Sequence, residues 1–359
     1  MPRYSSRLHW STEKNALTKA LEASRPSLNL AQSNPTTAGI IYPPDIVPYE
    51  PDPRGSLRAR KAVSEYYQGA ITPDQLLLTA STSEAYSYLF KLLCDPGHEV
   101  LVPRPSYPLF DMLAQVETVG LRQYRLHYHD GWFIDLDSLR SQVNDRTRAI
   151  ICVNPNNPTG SYLKRFEYEP IAELCNQHGL ALISDEVFSN YGIDPHPETV
   201  YTVAKESGCL GFSLSGLSKV SGLPQMKLGW IAAGGPGHEE ALERLEWISD
   251  TFLSVSTPVQ VAAPEMLAMR YDIQAQIGAR IRANLDQVRA LHVEGGWYAT
   301  LPVPRIRTEE EWILQLLDRG VLVQPGYFFD FDSEAFLILS LLTEPSEFGA
   351  GVRHILDLC

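Results

Sequence analysis

A chain of 359 residues, 44% hydrophobic and 20% charged, has the length and composition of one large and one small globular domain. Its formal net charge of -13 opposes phosphate-rich surfaces, which excludes nucleic acid and anionic membrane as partners. Cys94, Cys152, Cys175, Cys209 and Cys359 are scattered, odd in number and without a C-x-x-C pair, so neither a disulfide framework nor a metal site is expected. The first ten residues lack the apolar core of a signal peptide and no run reaches membrane-spanning length, so the expected location is cytoplasmic.

In chain order, the Pro-rich stretch 41–53, which carries Tyr49, reads as an extended segment. From residue 75 the pattern alternates. Residues 75–79 form a short apolar strand, 83–94 a helix, and 98–103 a second strand after the Asp95-Pro96-Gly97 break. Residues 148–154 make a continuous apolar run that ends in a Pro/Asn/Gly turn, as in a strand buried on both faces. A helix over 167–178 stops at Gly179, where left-handed backbone is natural. Runs at 180–184, 211–215 and 228–233 complete the strands. An amphipathic stretch over 259–292, ending at Gly295 and Gly296, links to a small α+β unit. The alternation predicts a largely parallel sheet covered by helices, with ligands at the carboxyl ends of its strands. There is no G-x-G-x-x-G turn, and Gly234 to Gly237 has the wrong spacing for a nicotinamide site.

The chemistry concentrates just after those strands. Between Ser213 and Trp230, Lys219 lies among small hydroxyl residues and glycines, with Lys227 eight positions on. Small neighbours let a planar cofactor approach the backbone. Burial frees a lysine amine for an aldehyde, and a second cation can hold an anion. Ser81, Thr82 and Ser83 stand at a strand-to-helix junction, where backbone N–H groups and hydroxyls bind phosphate; a local helix cap, Ser81 answered by Glu84, accounts for the same residues. Asp185 ends a strand, where it is either a partner for a protonated ring nitrogen or a helix cap.

This ordered set resembles the pyridoxal 5'-phosphate (PLP) aminotransferases of fold type I, the aspartate-aminotransferase-like family, from about Tyr49 to Trp230. The resemblance implies a three-layer α/β/α large domain with a mainly parallel mixed sheet, plus a small α+β domain. The division is 1–40 as N-terminal arm and part of the small domain, 41–265 as the large PLP-binding domain, and 266–359 as interdomain helix and small domain. It implies PLP held as a Schiff base on Lys219, with Asp185 on the ring nitrogen, Tyr107 on the ring face and Asn157 on the 3'-oxygen, the Asn157–Pro158 bond being cis. Ser81, Thr82, Ser83, Ser218 and Lys227 would take the phosphate, and Tyr49 would reach the phosphate of a neighbouring subunit in a homodimer with shared sites. The implied activity is transfer of an amino group between an amino acid, or related amine, and an oxo acid. Elimination, replacement, cyclisation or oxidation on the same cofactor, and PLP binding without catalysis, are the alternatives.

Four positions depart from the family. Ser81 replaces a glycine and Lys227 an arginine, which keeps the charge but loses the two-pronged contact. Phe188 stands where relatives have a tyrosine that holds the 3'-oxygen, which predicts a raised Schiff-base pKa. Ile338 stands where relatives hold the substrate α-carboxylate with arginine, and no Arg or Lys lies between Arg319 and Arg353. Arg104, Arg305 and Arg307 are the conceivable substitutes.

Overall fold

The apolar runs fold as strands because each presents alternate residues to two different cores. The computed structural model describes residues 3–7, 14–23, 28, 30–333 and 335–359. Strands β1 (Leu76–Thr79), β2 (Glu99–Arg104), β3 (Gly120–Tyr128), β4 (Trp132–Ile134), β5 (Thr147–Val153), β6 (Ala181–Asp185), β7 (Gly211–Gly216) and β8 (Gly229–Gly234) form one sheet. Their order is β1-β8-β7-β6-β5-β2-β3-β4. The pairings among β2, β3, β5, β6 and β7 are parallel, while β8 runs against both β1 and β7, and β4 against β3. The sheet is thus mixed and mainly parallel, as expected.

On one face, Val100, Ala149, Ile151, Ile183 and Phe212 pack with the helices Thr82–Leu93 and His238–Asp250. On the other, Leu101, Ile150, Cys152 and Leu182 pack with the helix Arg165–His178. That period-two split explains the uninterrupted hydrophobicity of the central strands, and it makes the three layers. Gly179 ends the latter helix at φ 64°, the left-handed position read for it. Helices Leu57–Tyr66 and Thr257–Ala268 close a further core around Leu76, Leu78 and Trp230.

The stretch over 259–292 is divided between Thr257–Ala268 and a second helix, Arg270–Leu285, which meet at Met269. Beyond it, β9 (Tyr298–Pro302), β10 (Gln324–Pro325) and β11 (Phe336–Ser340) form an antiparallel sheet in the order β10-β11-β9. Its core, which includes Leu337, Leu339, Trp312 and Phe348, also takes in Phe188 and Tyr191 from the loop after β6. That shared core sets the second sheet against the carboxyl edge of the first.

Candidate active site

β1 is antiparallel to β8, and β8 is antiparallel to β7. The carboxyl ends of β1, β2, β5, β6 and β7 therefore share one edge, and the amino end of β8 joins them. Topology alone brings Ser81, Tyr107, Asn157, Asp185, Lys219 and Lys227 to that edge.

Lys219 follows β7 in the short helix Leu217–Val220. Its Nζ lies 5.6 Å from the Phe188 ring centroid and 4.9 Å from that of Trp297, while its backbone carbonyl accepts from Tyr191 Oη at 2.6 Å. Burial among these rings pushes its pKa down, with the Asp185 carboxylate opposing the shift. A larger share of the amine is consequently neutral and nucleophilic near pH 7 than for a solvated lysine.

Asp185 is 6% exposed at the end of β6. Burial pushes its carboxyl up to about 6, against donation from the Val187 backbone N–H at 3.3 Å and Tyr86 Oη at 3.2 Å, and against the Lys219 charge. A buried carboxylate held by two donors has its free energy lowered by a cation placed beside it. Its neighbour Glu186, 1% exposed, has a structural task. It accepts from Ser213 Oγ at 2.7 Å and the Val203 N–H at 2.9 Å, and burial lifts it to about 7.

Asn157 is buried in the turn after β5, its Oδ1 has no hydrogen-bond partner, and the Asn157–Pro158 peptide is cis as read. Tyr107 is half-buried and edge-on to Phe110 at 5.9 Å; desolvation, Asp185 and Tyr298 each raise its hydroxyl pKa, which puts all three in one neighbourhood. Ser81 is the N-cap of the helix Thr82–Leu93, with extended backbone (φ -168°), so replacing a glycine there strains nothing. Its Oγ accepts from the Glu84 N–H at 3.2 Å. Glu84 answers one residue early, its Oε2 accepting from the Ala80 N–H at 2.6 Å rather than from Ser81. The capping reading therefore holds with an altered register, and the junction still presents a helix amino end.

Lys227 is exposed, with left-handed backbone at φ 51°, two residues before Gly229. A side chain at Gly229 would press within 3.1 Å of the Ser215 carbonyl oxygen and of Ser81 backbone, so glycine there lets β8 run close between β1 and β7 without displacing either. That close passage sets the Lys227 turn beside the Ser81 helix start. Near Lys219, Ser215 and Ser221 are buried with unpartnered hydroxyls, and Ser218 is half-buried. Tyr49 stands apart from this group. It is 40% exposed, held through its backbone by Asn34 and Thr36, and lines a small crevice with Tyr88 and Ser254.

These features fit PLP. An Asn157 amide whose oxygen lacks a partner, open hydroxyls, a helix amino end beside a lysine, and a buried carboxylate facing a desolvated lysine suit its polar groups. The family model for aminotransferases of class I and II matches residues 49–347. The chain belongs to this family of PLP-dependent transaminases.

Among its relatives, nicotianamine aminotransferase 1 of Oryza sativa subsp. japonica is 31% identical over 222 residues, which are 58% of this chain and 44% of that protein. Glutamate-pyruvate aminotransferase AlaA of Haemophilus influenzae is 30% identical over 314 residues, covering 81% of this chain and 78% of its own. The chain thus spans less than half of the first relative's length. Alanine aminotransferase from Pyrococcus furiosus superposes with a TM-score of 0.76 at 25% identity, over 86% of this chain and 84% of that one.

Three residues of the site went unread in the sequence. Tyr86 donates to Asp185, Trp297 walls Lys219, and Tyr191 anchors its backbone. Tyr86 carries no local signal, because it is one apolar-face position of a helix. Trp297 follows the Gly295–Gly296 break and reaches Lys219 only through the second sheet.

Proposed function

We propose that this chain is a transaminase in which Lys219 holds the cofactor's aldehyde and moves the substrate proton. The carrying observation is the Lys219 amine, desolvated between Phe188 and Trp297 and facing the buried Asp185. Asp185, oriented by Tyr86, keeps a proton on the ring nitrogen. Tyr107 covers the ring face and Asn157 donates to the ring oxygen. Ser81, Thr82, Ser83 and Ser218 hold phosphate beside the helix amino end, with Lys227 as a point charge. Bound there, PLP supplies an aldehyde for the substrate nitrogen and an electron-withdrawing ring. Lys219 Nζ would be the base that takes a proton from the substrate carbon bearing nitrogen. Phe188, 5% exposed, and Trp297 keep water from that atom.

The domain division at 41–265 and 266–359 is part of the same reading, as are a cytoplasmic location and a homodimer. Leu30 at 99% and Ile41 at 96% exposure, in the segment that leads to Tyr49, are apolar side chains whose burial a second subunit would supply. No described helix is long and apolar enough to cross a membrane. The substrates are an amino donor and an oxo acceptor. Borohydride reduction of the PLP-loaded protein followed by peptide mass analysis tests the reading. A cofactor mass on the Lys219 peptide, and cofactor converted to its amine form by a donor and restored by an acceptor, are expected. A cofactor fixed elsewhere, or donors that react without that conversion, would overturn it.

A further inference from the structure

The second sheet turns one face toward the Lys219 edge. Thr300 Oγ1 lies 3.4 Å from the Pro158 carbonyl oxygen, and the Tyr298 ring lies 6.2 Å from that of Phe188. Directly paired residues of antiparallel strands share a face. Ile338 opposes Thr300 and Gln324, Ser340 opposes Tyr298 and Phe336 opposes Pro302, so this face carries Tyr298, Thr300, Gln324, Phe336, Ile338 and Ser340. The opposite face carries Leu337 and Leu339 into the core, from which Ile338 is separate although only 1% exposed. The face turned toward the Lys219 edge is therefore neutral.

Among the described residues, none of the other arginines that could take this task is aimed at Lys219. Arg104 is spent on the Asp330 carbonyl and on Asp332 at 3.0 Å. Arg305 reaches Ser333, and Arg307 donates to the Leu358 carbonyl while lying over Trp312. Arg319 lines a cavity of about 640 Å³ at the β10 edge, whose walls include Ile338 and Ser340 but neither Lys219 nor Trp297. A carboxylate on the reacting carbon would lie beside the Phe188 and Trp297 rings that wall Lys219, with Asp185 as a nearby anion. Desolvation without an ion partner disfavours it strongly. The donors that remain are neutral: Trp297 Nε1 is buried without a partner, and Thr300 and Ser340 carry hydroxyls.

Resting on the transaminase reading, we infer that the exchanged pair is an amine and an aldehyde or ketone without a carboxylate on the reacting carbon. An apolar or neutral hydrogen-bonding group occupies that place instead. The balance closes without an outside oxidant. The donor CH–NH2 becomes C=O, the acceptor C=O becomes CH–NH2, the two electrons leaving one carbon end on the other, and oxygen is exchanged through water.

Matched probes test this on the PLP-loaded protein. 2-Phenylethylamine and phenylalaninol are compared with L-phenylalanine as donors by cofactor absorbance, and calorimetry compares binding of 3-phenylpropanol with 3-phenylpropanoate. We expect the neutral donors to react at least ~10-fold faster and the alcohol to bind at least ~10-fold tighter, since a tenfold preference needs only a small difference in binding. Ile338→Arg should reverse the order; if that variant does not fold, Ile338→Gln should narrow it. Faster reaction of L-phenylalanine, or tighter binding of the phenylpropanoate, overturns the inference. If PLP is fixed on Lys219 yet neither class converts it, the transaminase reading falls, and the calorimetric comparison still decides the carboxylate question.

Discussion

At the scale of residues, function here turns on burial. Lys219 and Asp185 are perturbed in opposite senses by the same desolvation, toward neutral amine and neutral acid, and each partly restores the other's charge. Lys219→Ala is expected to lower single-turnover conversion of the cofactor by a donor about 10²–10⁴-fold, the range for a positioned acid–base group, while PLP still binds. Stopped-flow absorbance measures it. Asp185 predicts a pH dependence. Its carboxyl is raised on folding to about 6 from the ordinary 3.8, so the folded state holds the proton more tightly. The stability this contributes is fully present below the unfolded value and is lost as pH rises through about 6. Asp185→Asn in the apoprotein should remove that loss, on the order of 3 kcal/mol for a shift of about two pH units. Urea midpoints of the two proteins at acid and neutral pH check it; parallel losses would refute it. Glu186, raised to about 7, adds a slope of the same sign in both proteins and cancels in the comparison.

At the scale of elements, the helix Thr82–Leu93 serves two ends with one residue. Ser81 satisfies the Glu84 N–H and leaves the first N–H groups of the helix at the sheet edge that carries Lys219. Ser81→Ala should cost about 1 kcal/mol of stability in chemical denaturation, whereas Ser81→Gly should cost only a few tenths. Both should weaken PLP affinity, measured by equilibrium dialysis. Equal losses of stability for the two would show that the hydroxyl does not cap. Strand β8 is the second such element. Running against its neighbours, it brings Lys227 back to the edge where the parallel strands end.

At the scale of the whole molecule, the sheets are joined through a buried charge. Lys164, 0% exposed, donates to the Trp132 carbonyl at 2.8 Å, lies over Phe133 and meets Glu294 at 3.1 Å. Glu294 also accepts from the Tyr162 N–H, and its carbonyl accepts from the Ile193 N–H. The segment so pinned leads three residues later to Trp297, against Lys219. Glu294→Ala leaves Lys164 buried and unpaired, and is expected to cost about 3–5 kcal/mol in urea denaturation. Replacing both residues with apolar ones of similar volume should recover most of that loss. A single variant as stable as the parent would mean that the pair is dispensable. The exposed Leu30 and Ile41 predict a dimer by sedimentation, and Leu30→Asp with Ile41→Asp should shift it toward monomer.

Much of this was legible in the chain because strand and helix signals are local. The central strands were found within a residue or two, since burial on both faces demands unbroken apolar runs such as 148–154. β3 was not, because an outer strand with Arg122, Gln123 and Arg125 lacks such a run. Lys219 and Asp185 could be singled out as candidates because ligand sites follow the carboxyl ends of parallel strands, whose endings the sequence marks with turns, whereas Asn157 was singled out by the family resemblance. What only the tertiary structure decided was their company. Tyr86 donating to Asp185, Trp297 beside Lys219 and Ile338 opposite Thr300 depend on contacts between residues far apart in the chain, set by how the two sheets pack. Local sequence dictates which residues can carry chemistry; burial and pairing across the fold set their charge and what they can accept.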